Sequence, residues 1–212
     1  MVSREGYPII LFFLALTGLL FFFSLPGWGY LALGMSVFSI WFFRNPERVI
    51  PESDDLILSP ADGKVLDISK IHECRFMGSE SIRIRIFMSI FNVHVNRAPY
   101  GGRVEWIERH GICFMPAFDK KAPDLNVRNY IGISCEYGKI LVVQITGFFA
   151  RRLVCWIKSG EEISAGQRLG LIRFGSCTEL YIPVNSEVLI KPGDKVKGGV
   201  TVVARFKSQD FC

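Results

Sequence analysis

Three side chains in this sequence have the types and surroundings that nucleophilic and acid–base chemistry requires. Ser176 follows Gly175 inside an apolar run, where a glycine indicates close backbone approach or an irregular turn. His94 alternates with two asparagines, and histidine is the usual general acid or base near neutral pH. Asp62 lies in an Ala-Asp-Gly turn, which would hold its carboxylate rigidly enough to orient a histidine. In such a triad Ser176 is the nucleophile, and the nearest electrophile is the carbonyl of Gly175.

Each of these features also has a plain structural interpretation. Gly-Ser and Asp-Gly dipeptides are common in ordinary turns, and a single histidine on a strand often only packs. The other two histidines, His72 and His110, have loop-like surroundings and are expected to be exposed. The six cysteines contain no C-x-x-C pair and no histidine at zinc-ligand spacing, so we expect reduced thiols and no metal.

The elements that must position these residues begin with an apolar segment. Residues 8–43 contain no Asp, Glu, Lys or Arg, and the turn signal Pro26-Gly27-Trp28-Gly29 divides them. This pattern predicts two marginal helices, residues 7–25 and 29–43, that form a membrane-anchoring hairpin over residues 1–43. A shallow hairpin that does not span the bilayer fits the same pattern. A cleaved signal peptide fits less well, because the segment is long and lacks a small-x-small site.

Charge indicates on which side of the membrane the rest of the chain lies. Arg4 precedes the apolar segment, while Arg44 and Arg48 follow it, so the positive-inside rule predicts both flanks in the cytoplasm. The formal net charge of +5 favours an anionic phospholipid membrane as partner. No nucleic-acid-binding motif or basic helix is found, so nucleic acid is not an expected partner.

Residues 44–212 have the texture of a mainly β domain. Short runs of β-branched and aromatic residues alternate with Gly, Pro and Asp, which predicts a barrel-sandwich-like fold, with one short helix expected over residues 148–157. Residues 160–167 and 192–199 resemble each other and are typical of the turns of small barrel-sandwich domains that carry biotin or lipoate. No lysine lies at the hairpin tip that such a carrier needs.

Several motifs occur together in a fixed order along the chain. They are Phe43-Arg44-Asn45-Pro46-Glu47-Arg48, Ser59-Pro60-Ala61-Asp62-Gly63-Lys64-Val65, Phe91-Asn92-Val93-His94-Val95-Asn96-Arg97-Ala98-Pro99, Ala150-Arg151-Arg152 and Arg173-Phe174-Gly175-Ser176. With these motifs the chain resembles the phosphatidylserine decarboxylase proenzymes in their short bacterial form, from the N-terminal hairpin to about residue 206.

The resemblance implies a self-cleaving proenzyme. Cleavage between Gly175 and Ser176 would give a β chain, 1–175, and an α chain, 176–212, which remain associated. Ser176 would become a pyruvoyl group, with His94 as base and Asp62 orienting it. This cofactor, without metal or pyridoxal phosphate, would decarboxylate phosphatidylserine to phosphatidylethanolamine through a Schiff base, and His94 would then protonate the carbanion. The implied location is the cytoplasmic face of the bacterial inner membrane, and a homo-oligomer is compatible with it.

Three positions depart from the family pattern. Val127 stands where an acidic residue is expected, Thr146 replaces the usual alanine, and Cys177 follows the serine, where a thiol could alter maturation. Two alternatives stay open at this point. One is a non-enzymatic, membrane-tethered barrel-sandwich module that acts as a carrier or adaptor and stays uncut. The other keeps the machinery and acts on a different phosphoserine lipid.

Overall fold

The chain forms two compact units, Met1–Glu47 and Arg48–Cys212. The computed structural model describes residues 1–51, 54–111, 126–147, 152–173 and 176–207, with the backbone alone at residue 176. The first unit holds a 3-10 turn, Arg4–Gly6, and helices α1 (Tyr7–Phe22) and α2 (Pro26–Phe42). The described strands of the second unit are β1 Leu56–Leu58, β2 Gly63–Glu73, β3 Ser79–Met88, β4 Val95–Arg97, β5 Gly102–His110, β6 Arg128–Cys135, β7 Gly138–Ile145, β8 Leu153–Cys155, β9 Glu162–Ile163, β10 Arg168–Ile172, β11 Ser176–Pro183, β12 Glu187–Val188, β13 Lys195–Val196 and β14 Val202–Arg205.

The first unit is a helical hairpin whose turn, residues 23–25, lies three residues earlier than the sequence predicts. Pro26 opens α2 instead of preceding it, because proline suits the first turn of a helix, where its missing N–H has no partner to lose. Ser24 takes a φ of 55°, the left-handed conformation that commonly follows the end of a helix. Residues 26–28, expected in the loop, therefore belong to α2.

Small side chains allow the two helices of the hairpin to approach closely. Gly29, Ala32 and Ser36 are buried in α2, and a Cβ at Gly29 would lie only 3.0 Å from the ring of Phe21. The Ser36 hydroxyl donates to the Ala32 carbonyl at 3.2 Å, so it needs no water. Interfaces of this kind are typical of helices that pack within a membrane.

The outer faces of the hairpin are apolar and exposed. Phe12 and Leu19 of α1, with Trp28 and Val37 of α2, are each more than half exposed. The segment Arg4–Phe22 is long and apolar enough to cross a membrane. At a rise of 1.5 Å per residue, the two helices extend about 24 and 26 Å, somewhat less than the ~30 Å of a hydrocarbon core. These lengths match the marginal helices predicted from the sequence.

The second unit is mainly β, as predicted. Its largest sheet is antiparallel, has the strand order β13-β2-β3-β11-β7-β6-β5-β9 and curls into a half-barrel. Two three-stranded sheets, β1-β14-β12 and β4-β10-β8, complete the described part. Ile84, Ile131, Val142 and Leu180 come from four neighbouring strands of the large sheet and are fully buried in one apolar core. The predicted barrel-sandwich-like class is confirmed in this form.

The two similar turn stretches, residues 160–167 and 192–199, make equivalent backbone contacts. Each contributes a two-residue strand, β9 or β13, that pairs with the start of a long strand, β5 or β2. The first glycine of each stretch donates to a valine carbonyl of that strand: Gly160 to Val104 at 2.7 Å and Gly193 to Val65 at 2.8 Å. Both glycines have positive φ, 87° and 98°. Residues 33 apart therefore occupy equivalent places in an internal repeat.

Several local predictions are wrong. In the described part of residues 148–157, Leu153–Cys155 forms strand β8 rather than a helix, because its backbone pairs with β10; residues 148–151 lie outside the described residues. His72 and His110, expected in loops, belong to β2 and to the end of β5. In both cases distant strand pairing decides the conformation, which a local pattern does not encode.

Candidate active site

His94 is fully buried and directly precedes β4. The polar alternation around it predicts one continuous strand, but β3 ends at Met88 and a tight turn follows. Asn92 closes this turn, since its side-chain oxygen accepts hydrogen bonds from the N–H and hydroxyl of Ser89 at 2.9 and 2.8 Å. The Asn92 carbonyl lies 3.0 Å from Nδ1 of His94. Because a carbonyl can only accept, Nδ1 carries the proton of the neutral ring and Nε2 the lone pair.

The expected cleavage point lies where the chain passes from one sheet to another. β10 pairs with β4, and β11 starts at Ser176 between β3 and β7. The N–H of Ile172 donates to the His94 carbonyl at 3.1 Å, three residues before Gly175. In the β3–β11 register the backbone of Ser176 lies opposite Met88. Gly175 falls outside the described residues. The described backbone thus brings His94 and the segments flanking residue 175 together.

Asp62 is nearly buried and fully engaged by hydrogen bonds. Nη1 and Nη2 of Arg48 donate to its two carboxylate oxygens at 2.6 and 2.8 Å, a bidentate pair. The N–H of Gly198 donates to Oδ1 at 2.8 Å, and Nη1 of Arg48 also reaches the Gly198 carbonyl at 2.6 Å. Asp62 therefore links its own segment by hydrogen bonds to two distant ones, which contain Arg48 and Gly198.

None of the hydrogen bonds described for the Asp62 carboxylate goes to His94. The Asn92 carbonyl occupies Nδ1 of His94, while the Asp62 carboxylate is taken up by Arg48 and Gly198. An indirect link exists through Pro60, two residues before Asp62. Its carbonyl accepts the N–H of Arg97 at 2.9 Å and so ties the aspartate turn to β4.

A chain of buried amide and hydroxyl groups, missed by the sequence reasoning, crosses the sheet beside His94. Asn96 donates to the Thr178 hydroxyl at 2.9 Å and accepts from the Gln144 amide at 2.9 Å. Gln144 in turn accepts from Asn129 at 2.9 Å. All four side chains are at most 2% exposed. Buried polar groups are costly unless satisfied, so this network fixes how β4, β11, β7 and β6 sit together. Only the Asn92-His94-Asn96 spacing hinted at it.

Two of the positions that depart from the expected pattern, Cys177 and Thr146, have structural explanations. Cys177 is 3% exposed and packs with Ile145 and Tyr181. Burial raises the pKa of its thiol to about 12, with the charge of Glu179 adding to the effect. The Thr146 hydroxyl donates to the Val127 carbonyl at 3.1 Å, so its extra polar group is satisfied by the segment that leads into β6.

The side chains that commonly ligate metal ions lie apart from one another in the described part of the chain. In the described ranges no cluster of three or more His, Cys, Asp or Glu side chains could hold a metal ion. The four described cysteines, Cys74, Cys135, Cys155 and Cys177, are free thiols. The site instead combines a buried imidazole with a fixed tautomer and a chain junction held by backbone hydrogen bonds.

Comparison with known proteins gives a consistent result. The family model for phosphatidylserine decarboxylase matches residues 35–204. A protein of Carboxydothermus hydrogenoformans named phosphatidylserine decarboxylase proenzyme is 48% identical over 207 residues, 96% of this chain and 96% of that protein. Proteins with the same name are 42% identical in Symbiobacterium thermophilum, over 96% of this chain and 95% of theirs, and in Syntrophus aciditrophicus, over 97% of both.

These matches span the second unit and most of the hairpin, well beyond any single motif. The family consists of carboxy-lyases, which removes the alternative of a non-enzymatic carrier or adaptor. The chain belongs to the phosphatidylserine decarboxylase family.

Proposed function

We propose that this chain is a proenzyme that cleaves itself between Gly175 and Ser176 and then decarboxylates phosphatidylserine to phosphatidylethanolamine and CO2. The family assignment supports the reaction and the substrate. The observation that carries the cleavage is the backbone hydrogen bond between Ile172 and His94, which holds a buried base against the segment that leads into residue 175.

Cleavage and formation of the pyruvoyl group require three steps at this junction. The Ser176 oxygen attacks the Gly175 carbonyl, a C–O bond forms, the peptide C–N bond breaks, the hydroxyl proton passes to the Ser176 nitrogen, and an ester links the two residues. Loss of the Ser176 α-proton then expels the Gly175 carboxylate and leaves dehydroalanine. Addition of water and release of ammonia yield the pyruvoyl group at the new N-terminus of the α chain, 176–212.

His94 is the proposed base in this sequence. Its Nδ1 proton is held by the Asn92 carbonyl, so Nε2 is the nitrogen that can accept a proton. Full burial keeps water from competing for that nitrogen. The same nitrogen, once protonated, can return a proton to the substrate carbon after CO2 has left.

Asp62 is proposed to act as a positioning residue. Its carboxylate stabilises the turn formed by residues 59–63 through Arg48 and Gly198. The Pro60 carbonyl of that turn holds the N–H of Arg97, so the turn sets the position of β4 and with it that of His94.

The described surroundings of residue 176 fit a covalent pyruvoyl group formed in place. Its strand, β11, is held by β3 and β7, so the new N-terminus would stay where it forms. A pyruvoyl ketone supplies an electrophilic carbonyl that condenses with the substrate amine and takes up the electrons left by departing CO2. The chain's own contribution is to fix that terminus and to hold a proton at His94.

The hairpin, residues 1–43, is proposed to anchor the enzyme to the bacterial inner membrane. Residues 44–212 are then the decarboxylase domain, on the cytoplasmic side. The exposed apolar faces of α1 and α2 support the anchor. The basic residues that flank the hairpin, Arg4 and Arg44 among them, support the orientation and an attraction to anionic phospholipids.

A denaturing gel tests the cleavage. Purified wild-type protein should contain a fragment of about 4 kDa, the share that 37 of 212 residues take of a 24.0 kDa chain. Ser176→Ala should stay intact and lack decarboxylase activity. A wild-type chain that decarboxylates phosphatidylserine while remaining fully uncut would overturn the pyruvoyl proposal.

A further inference from the structure

A cavity of about 480 Å³ opens beside the candidate active site and is lined by three lysines. Lys64 comes from β2, while Lys195 and Lys197 come from the turn stretch that includes β13. The cavity also reaches Asp62 and Asn92, the residue whose carbonyl holds His94. We call it the lysine cavity.

The positive charge of the lysine cavity is uncompensated. All three lysines are exposed, and in the described part of the chain none of their ammonium groups has an ion-pair partner. The carboxylate in the wall, Asp62, is already paired with Arg48. Lys64 and Lys195 lie directly opposite each other in the β2–β13 register, and like charges at such positions destabilise a sheet. An anion bound in the cavity would relieve this repulsion.

The internal repeat provides a comparison within the same molecule. With the offset of 33 residues, Lys195 corresponds to Glu162 and Lys197 to Ser164, and all four side chains are exposed. The backbone of the two stretches is equivalent, so the turn itself tolerates an acidic and a neutral residue. The two lysines are therefore a property of this cavity and not a requirement of the fold.

The sheet register places Lys64, in the wall of the lysine cavity, two strands away from the residue that follows Ser176. Lys64 lies opposite Phe87 in β3, Phe87 lies opposite Cys177 in β11, and Ser176 is the neighbour of Cys177. Two strand spacings separate the backbones of Lys64 and Cys177 by about 10 Å, a gap that the flexible four-carbon stem of a lysine can partly close. In a phosphoserine headgroup the amine and the phosphate are only a few bonds apart.

The edge of the cavity is apolar. Ile90 and Phe91, in the turn between Ser89 and Asn92, are 40% and 66% exposed. Exposed aromatic and aliphatic side chains beside a basic cavity suit a ligand that carries both a phosphate and acyl chains. A phospholipid carries both of these groups.

We propose that the lysine cavity is the phosphate subsite of the enzyme, in which Lys64, Lys195 and Lys197 bind the phosphodiester of the substrate headgroup while its amine meets residue 176. The inference rests on the proposed function and extends it. The lysines would recognise a phosphodiester linked to an amino acid. This charge would distinguish the substrate from neutral lipids.

The test uses Lys64→Gln, Lys195→Gln, Lys197→Gln and the triple variant, with Lys70→Gln as matched control. Lys70 is an exposed lysine in the same strand as Lys64, towards the far end of β2. Cleavage is checked first on a gel. The KM and kcat are then measured with a water-soluble, short-chain phosphatidylserine. We expect each single variant to raise the KM about threefold to tenfold and the triple variant about thirtyfold or more, with Lys70→Gln unchanged.

A second arm measures binding without turnover. Glycerophosphoserine is titrated into uncut Ser176→Ala protein by calorimetry, with and without the triple substitution. The triple variant should bind at least about tenfold more weakly, with a smaller salt dependence.

Unchanged KM and unchanged glycerophosphoserine affinity in the triple variant would overturn the subsite. If those variants only lose binding to phosphatidylglycerol vesicles, the lysines serve the membrane surface and the subsite is likewise wrong. A wild-type protein that neither cleaves nor decarboxylates, yet binds glycerophosphoserine through the lysines, would instead contradict the proposed function alone.

Discussion

At the scale of single residues, the proposed active site depends on how His94 is held. The hydrogen bond from Nδ1 to the Asn92 carbonyl fixes the tautomer by a backbone group, which substitution of a side chain cannot remove. The sequence predicted His94 as base with Asp62 orienting it, and the structure shows the Asn92 carbonyl at Nδ1 of His94. The sequence cannot predict this contact with the Asn92 carbonyl, because every residue has a carbonyl. Its position depends on the turn that the Asn92 side chain closes.

Replacing His94 tests its role as base. We expect His94→Gln to cleave at least about 100-fold more slowly, since glutamine keeps polarity and approximate size but cannot accept the proton. The readout is the time course of α-chain formation after expression in a cell-free system. His72→Gln, at an exposed position of β2, is the control and should mature normally. Normal maturation of His94→Gln would contradict the assignment.

Cys177 should be inert despite its place beside the expected scissile bond. Burial raises the pKa of its thiol to about 12, so it stays protonated at neutral pH. We expect iodoacetamide at pH 8 to label exposed Cys74 in the folded protein and to leave Cys177 unmodified. Cys177→Ala should cleave at the wild-type rate within about twofold. Rapid labelling of Cys177 would show that this strand opens.

The raised pKa of Cys177 also sets a direction for stability against pH. In the unfolded chain the thiol titrates near 8.5, while in the fold the pKa is about 12. The stability gained by keeping the thiol neutral is therefore present below about pH 8.5 and is lost as the pH rises from there towards 12. Cys177→Ala should lose less stability over that interval, measured by urea unfolding.

At the scale of elements, the Asp62 turn and β4 behave as one assembly. The sequence identified the Asp-Gly turn correctly, and Gly63 is required there because a Cβ would lie 2.2 Å from the Phe87 carbonyl oxygen. The sequence could not show that Arg48 and Gly198 would bind Asp62, since these residues are distant from it along the chain. The buried network that joins Asn96 to Gln144 escaped prediction for the same reason.

Paired substitutions separate direct from indirect action of Asp62. Asp62→Asn removes the charge that compensates a nearly buried Arg48, and we expect a loss of about 2–4 kcal/mol in unfolding free energy together with slower cleavage. If Asp62 acts by positioning, Arg48→Gln should slow cleavage to a similar extent. Normal cleavage in Arg48→Gln, with none in Asp62→Asn, would mean that Asp62 acts on the reacting groups directly.

At the scale of the whole molecule, the proposed cut would divide the large sheet between two chains. β11 would belong to the α chain but lies between β3 and β7, which would belong to the β chain. β13 and β14 pair with β2 and β1 in the same way. The class of the fold and the existence of the hairpin followed from apolar patterning and turn residues. The strand order that interleaves the two chains did not, because many pairings satisfy the same pattern.

The two chains should therefore stay together after cleavage. We expect them to elute as one species in detergent under native conditions and to separate only in denaturant, because backbone hydrogen bonds hold β11 on both sides. Size-exclusion chromatography followed by a denaturing gel provides the measurement. An α chain that is lost on a native column would contradict the interleaved sheet.

The N-terminus of the α chain offers the most direct measurement of all. Intact mass spectrometry of the small fragment from wild-type protein should give residues 176–212 with a pyruvoyl group in place of Ser176, lighter than the serine form by the mass of one ammonia molecule. Reduction with borohydride should then add two hydrogens at that terminus. A fragment that begins with an unmodified serine, in a preparation that decarboxylates phosphatidylserine, would contradict self-made pyruvoyl catalysis.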